Sequence, residues 1–127
     1  MQDIAQIYRG YIDCLNRQDW SRLANFVAAD VVHNGREFGL AGYRHMLEDD
    51  FRAIPDLRFN IDLLVVEPPK VASRLVFDCS PVGRLFDLPV NGRRIRFSEN
   101  VFYRFSGGLI AEVWSVIDKA AIEAQLA

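Results

Sequence analysis

The chain has 127 residues, of which 50% are hydrophobic and 25% charged, with a net charge of −2 and a pI of about 5.6. This length fits one domain, residues 1–127, that buries a core without disulfides. The weakly acidic balance argues against a general nucleic-acid or anionic-membrane binder, because such proteins need a basic surface. Cys14 and Cys79 have neither metal-ligand nor Cys-x-x-Cys spacing, so no metal site is predicted.

The sequence shows no targeting or membrane segment. An acid stands early in the N-terminal stretch, and no apolar run like that of a signal peptide follows it. The longest strongly apolar run, Leu63 to Val66, is far shorter than the roughly 20 residues of a membrane helix. We therefore expect a cytoplasmic protein that binds neither nucleic acid nor membrane.

Hydrophobic periodicity predicts three helices in the first half of the chain. The first helix carries apolar residues at helical spacing: Ile4, Ile7, Tyr8, Tyr11 and Leu15. Asp19 is placed to cap a second helix with four apolar residues: Trp20, Leu23, Phe26 and Val27. A third helix has four more on one face: Tyr43, Met46, Leu47 and Phe51. It ends before Pro55, because the residue before proline avoids the helical region.

The period changes to two after Pro55, which predicts strands. The first strand alternates through Leu57, Phe59, Ile61, Leu63 and Val65, and the second through Val71, Ser73, Leu75, Phe77 and Cys79. Asn91-Gly92 predicts a two-residue hairpin turn. Ile95 to Phe105 and Leu109 to Ile117 form a last strand pair, and a short helix follows. Helices followed by a meander predict an α+β fold, with the helices on one face of a curved, mostly antiparallel sheet.

Two polar residues interrupt the apolar faces of the last two strands. Glu99 is the single charge on its face, and Ser115 is the single polar residue on its own. A three-residue loop of Ser106, Gly107 and Gly108 would place Glu99 directly opposite Ser115. Burial would raise the pKa of this carboxyl, as acid–base catalysis near neutral pH requires. The alternative is a structural Glu99 paired with an arginine such as Arg58 or Arg74.

His33 and Asp118 are further candidates. His33 follows the second helical region, where it serves either as a titrating pocket residue or as a loop cap. Asp118 directly precedes the last helix, which favours an N-cap over a catalytic acid. The sheet face opposite the helices also has apolar residues: Leu64, Val66, Val76, Phe102, Trp114 and Val116. Because a second apolar face needs a cover, we expect a homodimer through this outer face.

Several segments together resemble the SnoaL-like polyketide cyclases, which include the predicted ester cyclases of the nuclear-transport-factor-2-like superfamily. They are "VVHNG" with "GLAGY", "FRAIPDLRFNIDLLVVE", and "VGRLFDLPVNGRRIRFSENVFYRFSGGLIAEVW", and they cover nearly the whole chain in order. The resemblance implies a conical α+β fold with an apolar pocket, often dimeric. It also implies aldol-type ring closure without a cofactor, with a pocket aspartate as acid–base.

This sequence departs from that pattern at the catalytic acid. The family's aspartate position is occupied by Ser115, and the Gly-Thr-His of many relatives reads Cys79, Ser80, Pro81. The resemblance places His33 and Glu99 at polar pocket positions, so Glu99 is the carboxyl that could replace the missing acid. Serine is not expected to be a nucleophile, because no histidine is placed to activate it.

The first hypothesis is therefore a cofactor-free enzyme acting on a small hydrophobic carbonyl compound by aldol-type cyclisation, isomerisation or hydration. Glu99 would be the acid–base, His33 would polarise or relay a proton, and Ser115 would hold the substrate oxygen. The expected apolar wall is Tyr43, Phe51, Phe59, Phe97, Val101, Tyr103 and Val113. The second hypothesis is a non-catalytic dimeric module that binds an apolar small molecule. Epoxide hydrolysis would need an Asp-Arg-Asp set that the sequence does not assemble.

Overall fold

A computed structural model describes residues 3–127, which form three α-helices, one 3-10 helix and seven strands. The elements in chain order are α1 Ile4–Asn16, the 3-10 helix Trp20–Asn25, β1 Val27–His33, α2 Gly39–Ala53, β2 Asn60–Glu67, β3 Lys70–Cys79, β4 Arg84–Leu85, β5 Leu88–Pro89, β6 Ile95–Ser106, β7 Leu109–Ile117 and α3 Lys119–Leu126. No helix within this part of the chain is long and apolar enough to cross a membrane.

Helices α1 and α2 form where the periodicity predicts them. The Asp3 carboxylate caps α1 by accepting hydrogen bonds from the backbone N–H of Ala5 (3.0 Å) and Gln6 (3.3 Å). Helix α2 ends at Ala53, two residues before Pro55, as predicted. Both helices bury the apolar stripe that the sequence predicts, so they pack against the sheet rather than stand in solvent.

The predicted second helix is wrong in its second half. The 3-10 helix is short, and the side chain of Asp19 makes no capping hydrogen bond to it. Val27 begins β1 instead, and Val27 and Val31 are buried on this strand. Strand β1 pairs in parallel with β7 from the far end of the sequence. Local periodicity missed it because the partner that stabilises this strand is distant in the chain.

The main sheet has five strands in the order β1-β7-β6-β3-β2 and is open at both edges. The β1–β7 pair is parallel, and the other three pairs are antiparallel. The buried residues of β3 and β6 alternate with exposed ones, so one face of the sheet joins the core that α1 and α2 cover. The α+β class with helices on one face of a mostly antiparallel curved sheet is confirmed.

The turn between β6 and β7 contains two residues rather than three. Gly107 and Gly108 both have positive φ (57° and 79°), which glycine adopts without strain. A bulge in β7 then leaves Ala111 without a partner in β6. The shorter turn and the bulge each shift the pairing by one residue.

Glu99 consequently pairs with Ile117, and Ser115 pairs with Val101. The predicted direct pairing of Glu99 with Ser115 is therefore wrong. Because side chains in a strand alternate with period two, a shift of two residues leaves both on the same face, as diagonal neighbours. They still meet, as described below.

A second bulge, at Asp62 in β2, changes which residues of that strand face outward. Beyond it, Leu63 and Val65 are exposed (58% and 64%), whereas Leu64 and Val66 pack against the core. The prediction that Leu64 and Val66 lie on the outer face is wrong for this reason. The outer face remains apolar, because Leu63 and Val65 face outward in place of Leu64 and Val66.

The Asn91-Gly92 turn has the predicted positive φ at both residues (48° and 80°), but it leads from a loop into β6. The short hairpin of β4 and β5 turns instead at Phe86 and Asp87, which also have positive φ (50° and 65°). This hairpin brings Phe86 onto the rim of the cavity described below.

Asp118 is the N-cap of α3, as predicted: its carboxylate accepts a hydrogen bond from the backbone N–H of Ala121 (3.1 Å). We expect Asp118→Ala to lower the free energy of unfolding by about 1 kcal/mol, because the cap is lost. Asp118→Asn keeps an acceptor oxygen and should remain close to the wild type. Urea denaturation of the three proteins checks this. Equal stability of the alanine variant and the wild type would contradict the capping role.

Candidate active site

A cavity of about 260 Å³ is lined by α1, α2 and strands β1, β3, β6 and β7. A smaller cavity of about 50 Å³ adjoins it and ends among four phenylalanines: Phe59, Phe77, Phe86 and Phe97. The two cavities share five lining residues: Asp50, Phe59, Phe86, Glu99 and Ile117. They therefore lie side by side, and together they give this space a polar part and an aromatic end.

Most of the predicted wall lies on this space. Tyr43, Phe59, Val101, Tyr103 and Val113 line the larger cavity, and Phe97 lines the smaller one. Phe51 lines neither. Its ring packs against Trp20 and Phe59, with centroid distances of 5.9 and 6.1 Å. Phe51 directly follows Asp50 on α2, so its side chain leaves the helix in a different direction and does not reach the cavity.

Glu99 and Ser115 meet inside the larger cavity, where the Ser115 hydroxyl donates a hydrogen bond to Oε2 of Glu99. Burial raises the pKa of the Glu99 carboxyl, and the hydrogen bond from Ser115 offsets only part of that effect. No arginine, lysine or histidine of residues 3–127 forms an ion pair with it. Arg74, one of the suggested partners, lies 3.9 Å from Asp62 instead. The arginine-paired alternative is wrong.

The backbone of Ser115 is held by the side chain of Asn34. The Ser115 N–H donates to Oδ1 of Asn34 (2.8 Å), and Nδ2 of Asn34 donates to the Ser115 carbonyl (3.3 Å). Asn34 and Gly35 form a tight turn with positive φ at both residues (46° and 79°), directly after β1. The Asn-Gly pair in this segment therefore continues the β1–β7 contact through a side chain and fixes the serine that contacts Glu99.

His33 is the last residue of β1 and lines the larger cavity, although the sequence placed it in a loop after a helix. Its ring stacks on Phe38 at 5.5 Å and meets the edge of Tyr43 at 6.1 Å. Burial lowers the pKa of His33, a hydrogen bond to the backbone opposes this in part, and the charge of Arg36 lowers the pKa further. The imidazole is neutral at neutral pH, so it offers one donor and one acceptor nitrogen.

All four tyrosines of the chain are buried together, which the sequence did not indicate. The hydroxyls of Tyr11 and Tyr43 are hydrogen-bonded at 2.7 Å, and Tyr8 donates to Tyr103 at 3.3 Å. Tyr11, Tyr43 and Tyr103 line the cavity. Burial raises the pKa of each of these phenols, so they are neutral and act as hydrogen-bond donors or acceptors.

Asp50 of α2 lines both cavities, and sequence reasoning missed it. Burial, followed by the charge of Glu99, raises the pKa of Asp50 from 3.8 to about 7. A signal was present, because Asp50 stands three residues after Leu47 and seven after Tyr43, on the buried stripe of the helix. An acid on the apolar face of an amphipathic helix is a candidate site residue for the same reason as Glu99 on its strand.

The fold and the site define a small α+β pocket protein with two half-buried carboxyls, a neutral histidine and tyrosine hydroxyls around an aromatic-ended cavity. Within residues 3–127, no three His, Cys, Asp or Glu side chains are grouped to hold a metal ion. The chain belongs to the SnoaL-like polyketide cyclase family, because the sequence model of that family matches residues 5–126.

Solved structures agree with this assignment. A SnoaL-like polyketide cyclase from Agrobacterium tumefaciens strain C58 is 54% identical, with a TM-score of 0.98 and 100% of each chain covered. TsrD from Streptomyces laurentii is 25% identical over 100% of this chain and 98% of its own, with a TM-score of 0.87. IdmH from Streptomyces antibioticus, at 20% identity, shares the fold (TM-score 0.85, covering 98% and 99%). None of the curated proteins matches the chain.

The raised pKa of Asp50 predicts a pH-dependent effect on stability. An acid whose pKa is higher when folded stabilises the protein at low pH and loses that contribution as pH rises through about 7. Asp50→Asn removes this loss. We expect the variant to gain roughly 2 to 3 kcal/mol of unfolding free energy, relative to the wild type, between pH 5 and pH 8.

Denaturation by urea at both pH values measures this gain. The matched control is Glu48→Gln on the same helix, whose carboxylate lies 3.6 Å from Arg44. It should show no comparable change between the two pH values. A difference between Asp50→Asn and the wild type that does not vary with pH would contradict the raised pKa.

Proposed function

We propose that this protein is an acid–base enzyme that enolises a small, uncharged, hydrophobic carbonyl compound, with Glu99 as the base. Enol formation is the step that an aldol-type cyclisation and an isomerisation have in common; hydration of a conjugated carbonyl compound uses the same groups. The observation that carries this proposal is a carboxyl with a raised pKa inside an aromatic-ended cavity, with no cation of residues 3–127 paired to it.

The environment of Glu99 suits proton abstraction from carbon. A carboxylate that has lost its water is a stronger base than one in solvent, and a raised pKa brings it towards the operating pH. The Ser115 hydroxyl fixes one oxygen of the carboxylate, which leaves the other free to face a substrate. Because that hydroxyl directs its hydrogen to Glu99, we assign Ser115 to positioning Glu99 rather than to holding the substrate oxygen.

The cavity suggests the class of substrate. No lysine or arginine is among the described residues that line it, whereas two carboxyls are. An anionic substrate would be repelled and left without a partner, so the substrate is uncharged. The aromatic end accepts a ring or another flat apolar group. A volume of about 260 Å³ limits the substrate to a small molecule.

His33 completes the proposed machinery. Its neutral imidazole lines the same cavity as Glu99, on the opposite flank of β7. A neutral histidine can donate a hydrogen bond to a developing enolate oxygen without surrendering a full positive charge. In this assignment His33 polarises the substrate carbonyl, while Glu99 removes the proton from the adjacent carbon.

Exchange of carbon-bound hydrogen with deuterated water tests the proposal without knowledge of the natural substrate. The probes are 2-tetralone, 1-indanone and phenylacetone, and proton NMR follows the loss of their α-hydrogen signals. We expect the wild type to accelerate exchange of at least one probe, and Glu99→Gln to reduce that rate by about 100-fold or more. Glu48→Gln is the matched control, since its carboxylate lines neither cavity and lies 3.6 Å from Arg44.

The rival function is a binding module for an apolar small molecule, which the serine in place of the family's expected aspartate favours. It predicts that the probes bind equally well to the wild type and Glu99→Gln and that neither protein accelerates exchange. Acceleration that survives in Glu99→Gln would instead assign the base to another residue.

We also propose that the protein is a homodimer that buries the outer face of the main sheet. An apolar row crosses four neighbouring strands on this face: Val65, Ala72, Phe102 and Trp114 are successive cross-strand partners. Phe102 is 59% exposed and Val116, beside Trp114, is 69% exposed. Large aromatic and aliphatic side chains exposed together are typical of the centre of an interface.

The next row on the same face is charged and supports contact between identical copies. It reads Glu67, Lys70, Arg104 and Glu112 across the same four strands. Its formal charges cancel, so two copies of this face do not repel each other. An apolar centre beside a neutral polar rim is the arrangement expected of an isologous interface.

Phe102→Glu tests the dimer, because it places a charge at the centre of the apolar row. Sedimentation equilibrium should give twice the chain mass of 14.5 kDa for the wild type. We expect the variant to dissociate with a Kd at least roughly 100-fold higher. Val82→Glu is the control, an exposed apolar residue outside this face. A monomeric wild type at micromolar concentration would overturn the proposal.

A further inference from the structure

Asp50 is a half-buried carboxyl that the proposed chemistry does not use. It lines both cavities, as Glu99 does, so the two carboxyls border the same space where the polar part meets the aromatic end. Asp50 comes from α2 and Glu99 from β6, so they approach this space from the helical layer and from the sheet.

No structural role accounts for Asp50. Within residues 3–127 its carboxyl takes part in no ion pair and accepts no hydrogen bond from another residue. The neighbouring acids of α2 are paired: Glu48 with Arg44, and Asp49 with Arg52 and His45. Burying an unpaired carboxyl is unfavourable, and such groups are uncommon outside functional sites.

The surroundings of the two carboxyls favour an ionised Glu99 and a protonated Asp50. The Ser115 hydroxyl donates to Glu99, which favours the ionised form of Glu99. Among the described residues Asp50 has no such donor, and burial together with the charge of Glu99 raises its pKa to about 7. Two nearby carboxyls that share a low-dielectric space keep one proton between them over a range of pH.

The other groups around this space do not supply a compensating charge. His33 from β1 has a lowered pKa and is neutral, and the phenols of Tyr11, Tyr43 and Tyr103 are neutral as well. Asp49, next to Asp50 on α2, adds negative charge that also favours the protonated form of Asp50.

We propose that Asp50 is a second catalytic carboxyl of this site and donates a proton to the substrate carbonyl oxygen while Glu99 takes one from the adjacent carbon. This inference rests on the proposed function. In the step, the electrons of the C–H bond form the new C=C bond of an enol. The π electrons of the C=O bond take the proton of Asp50 and become the O–H bond. Glu99 ends protonated and Asp50 ionised, so the site neither gains nor loses a proton.

Isomerisation and cyclisation differ in how Glu99 and Asp50 return to their starting protonation states. In an isomerisation, Glu99 returns its proton to a different carbon of the enol, and Asp50 takes back the hydroxyl proton. In a cyclisation, the enol carbon attacks a second carbonyl carbon and its hydroxyl proton returns to Asp50. The new alkoxide then takes the proton of Glu99. Both routes restore an ionised Glu99 and a protonated Asp50 without an external reagent.

The test is the deuterium-exchange assay with 2-tetralone, 1-indanone and phenylacetone, applied to Asp50→Asn over a range of pH. Asparagine keeps the shape of the side chain but cannot transfer the proton. We expect exchange to slow by about 100-fold. The wild-type rate should rise and then fall with pH, and Asp50→Asn should lose the fall at high pH, because the acid has been removed. Glu48→Gln should keep both the wild-type rate and its pH profile.

Carboxyl carbon NMR gives a readout that does not depend on activity. If the two carboxyls share the space, Glu99→Gln removes a repelling charge, and the pKa of Asp50 should fall. An unchanged pKa would overturn the pair. Protein stability does not confound the comparison, because Asp50→Asn is expected to be at least as stable as the wild type at pH 8.

The outcomes separate this inference from the proposed function. If Glu99→Gln abolishes exchange and Asp50→Asn exchanges as fast as the wild type, Asp50 is not catalytic and the proposed function stands. Slow exchange in Asp50→Asn with the fall at high pH intact would overturn proton donation and leave a positioning role. If the wild type accelerates no exchange, the proposed function fails, and the inference fails with it.

Discussion

The hydrogen bond from Ser115 to the half-buried carboxylate of Glu99 is the interaction on which the rest of the site depends. Burial raises the pKa of Glu99 and so favours its neutral form, whereas the hydrogen bond from Ser115 lowers the pKa and favours the ionised form. The backbone N–H and carbonyl of Ser115 are in turn hydrogen-bonded to the side chain of Asn34, in the turn after β1. The parallel pairing of β1 with β7 therefore has a chemical consequence, because it brings this turn to the strand that carries Ser115.

The cavity combines acidity with an apolar wall, and the two features reinforce each other. An aromatic surround removes water, which raises the pKa values of Glu99 and Asp50. No lysine or arginine is among the described lining residues, so no positive charge of that kind counteracts those shifts. A site of this kind suits a neutral substrate that gains charge only as it reacts, because its polar groups then stabilise the reacting state more than the bound one.

The faces of the elements followed from the sequence more reliably than the pairing between them. Periodicity located α1, α2 and β3, and it placed Glu99 and Ser115 on inward faces. The predicted register of β6 and β7 was off by two residues, because the turn is one residue shorter than predicted and the sequence does not reveal the bulge at Ala111. The error preserved the contact, since a two-residue shift does not change the face. The bulge at Asp62 adds one residue to β2 and did exchange the outward residues.

By itself, the sequence determined which residues are apolar, which faces of α1, α2 and β3 are buried, and which polar residues interrupt those faces. These properties depend on spacing along the chain, which local periodicity records. Only the tertiary structure decided that Asp50 borders the same cavity as Glu99, that β1 is a strand, and that the tyrosines meet. Those contacts join segments far apart in sequence, and they form because the helices and the sheet must bury their apolar faces against one another.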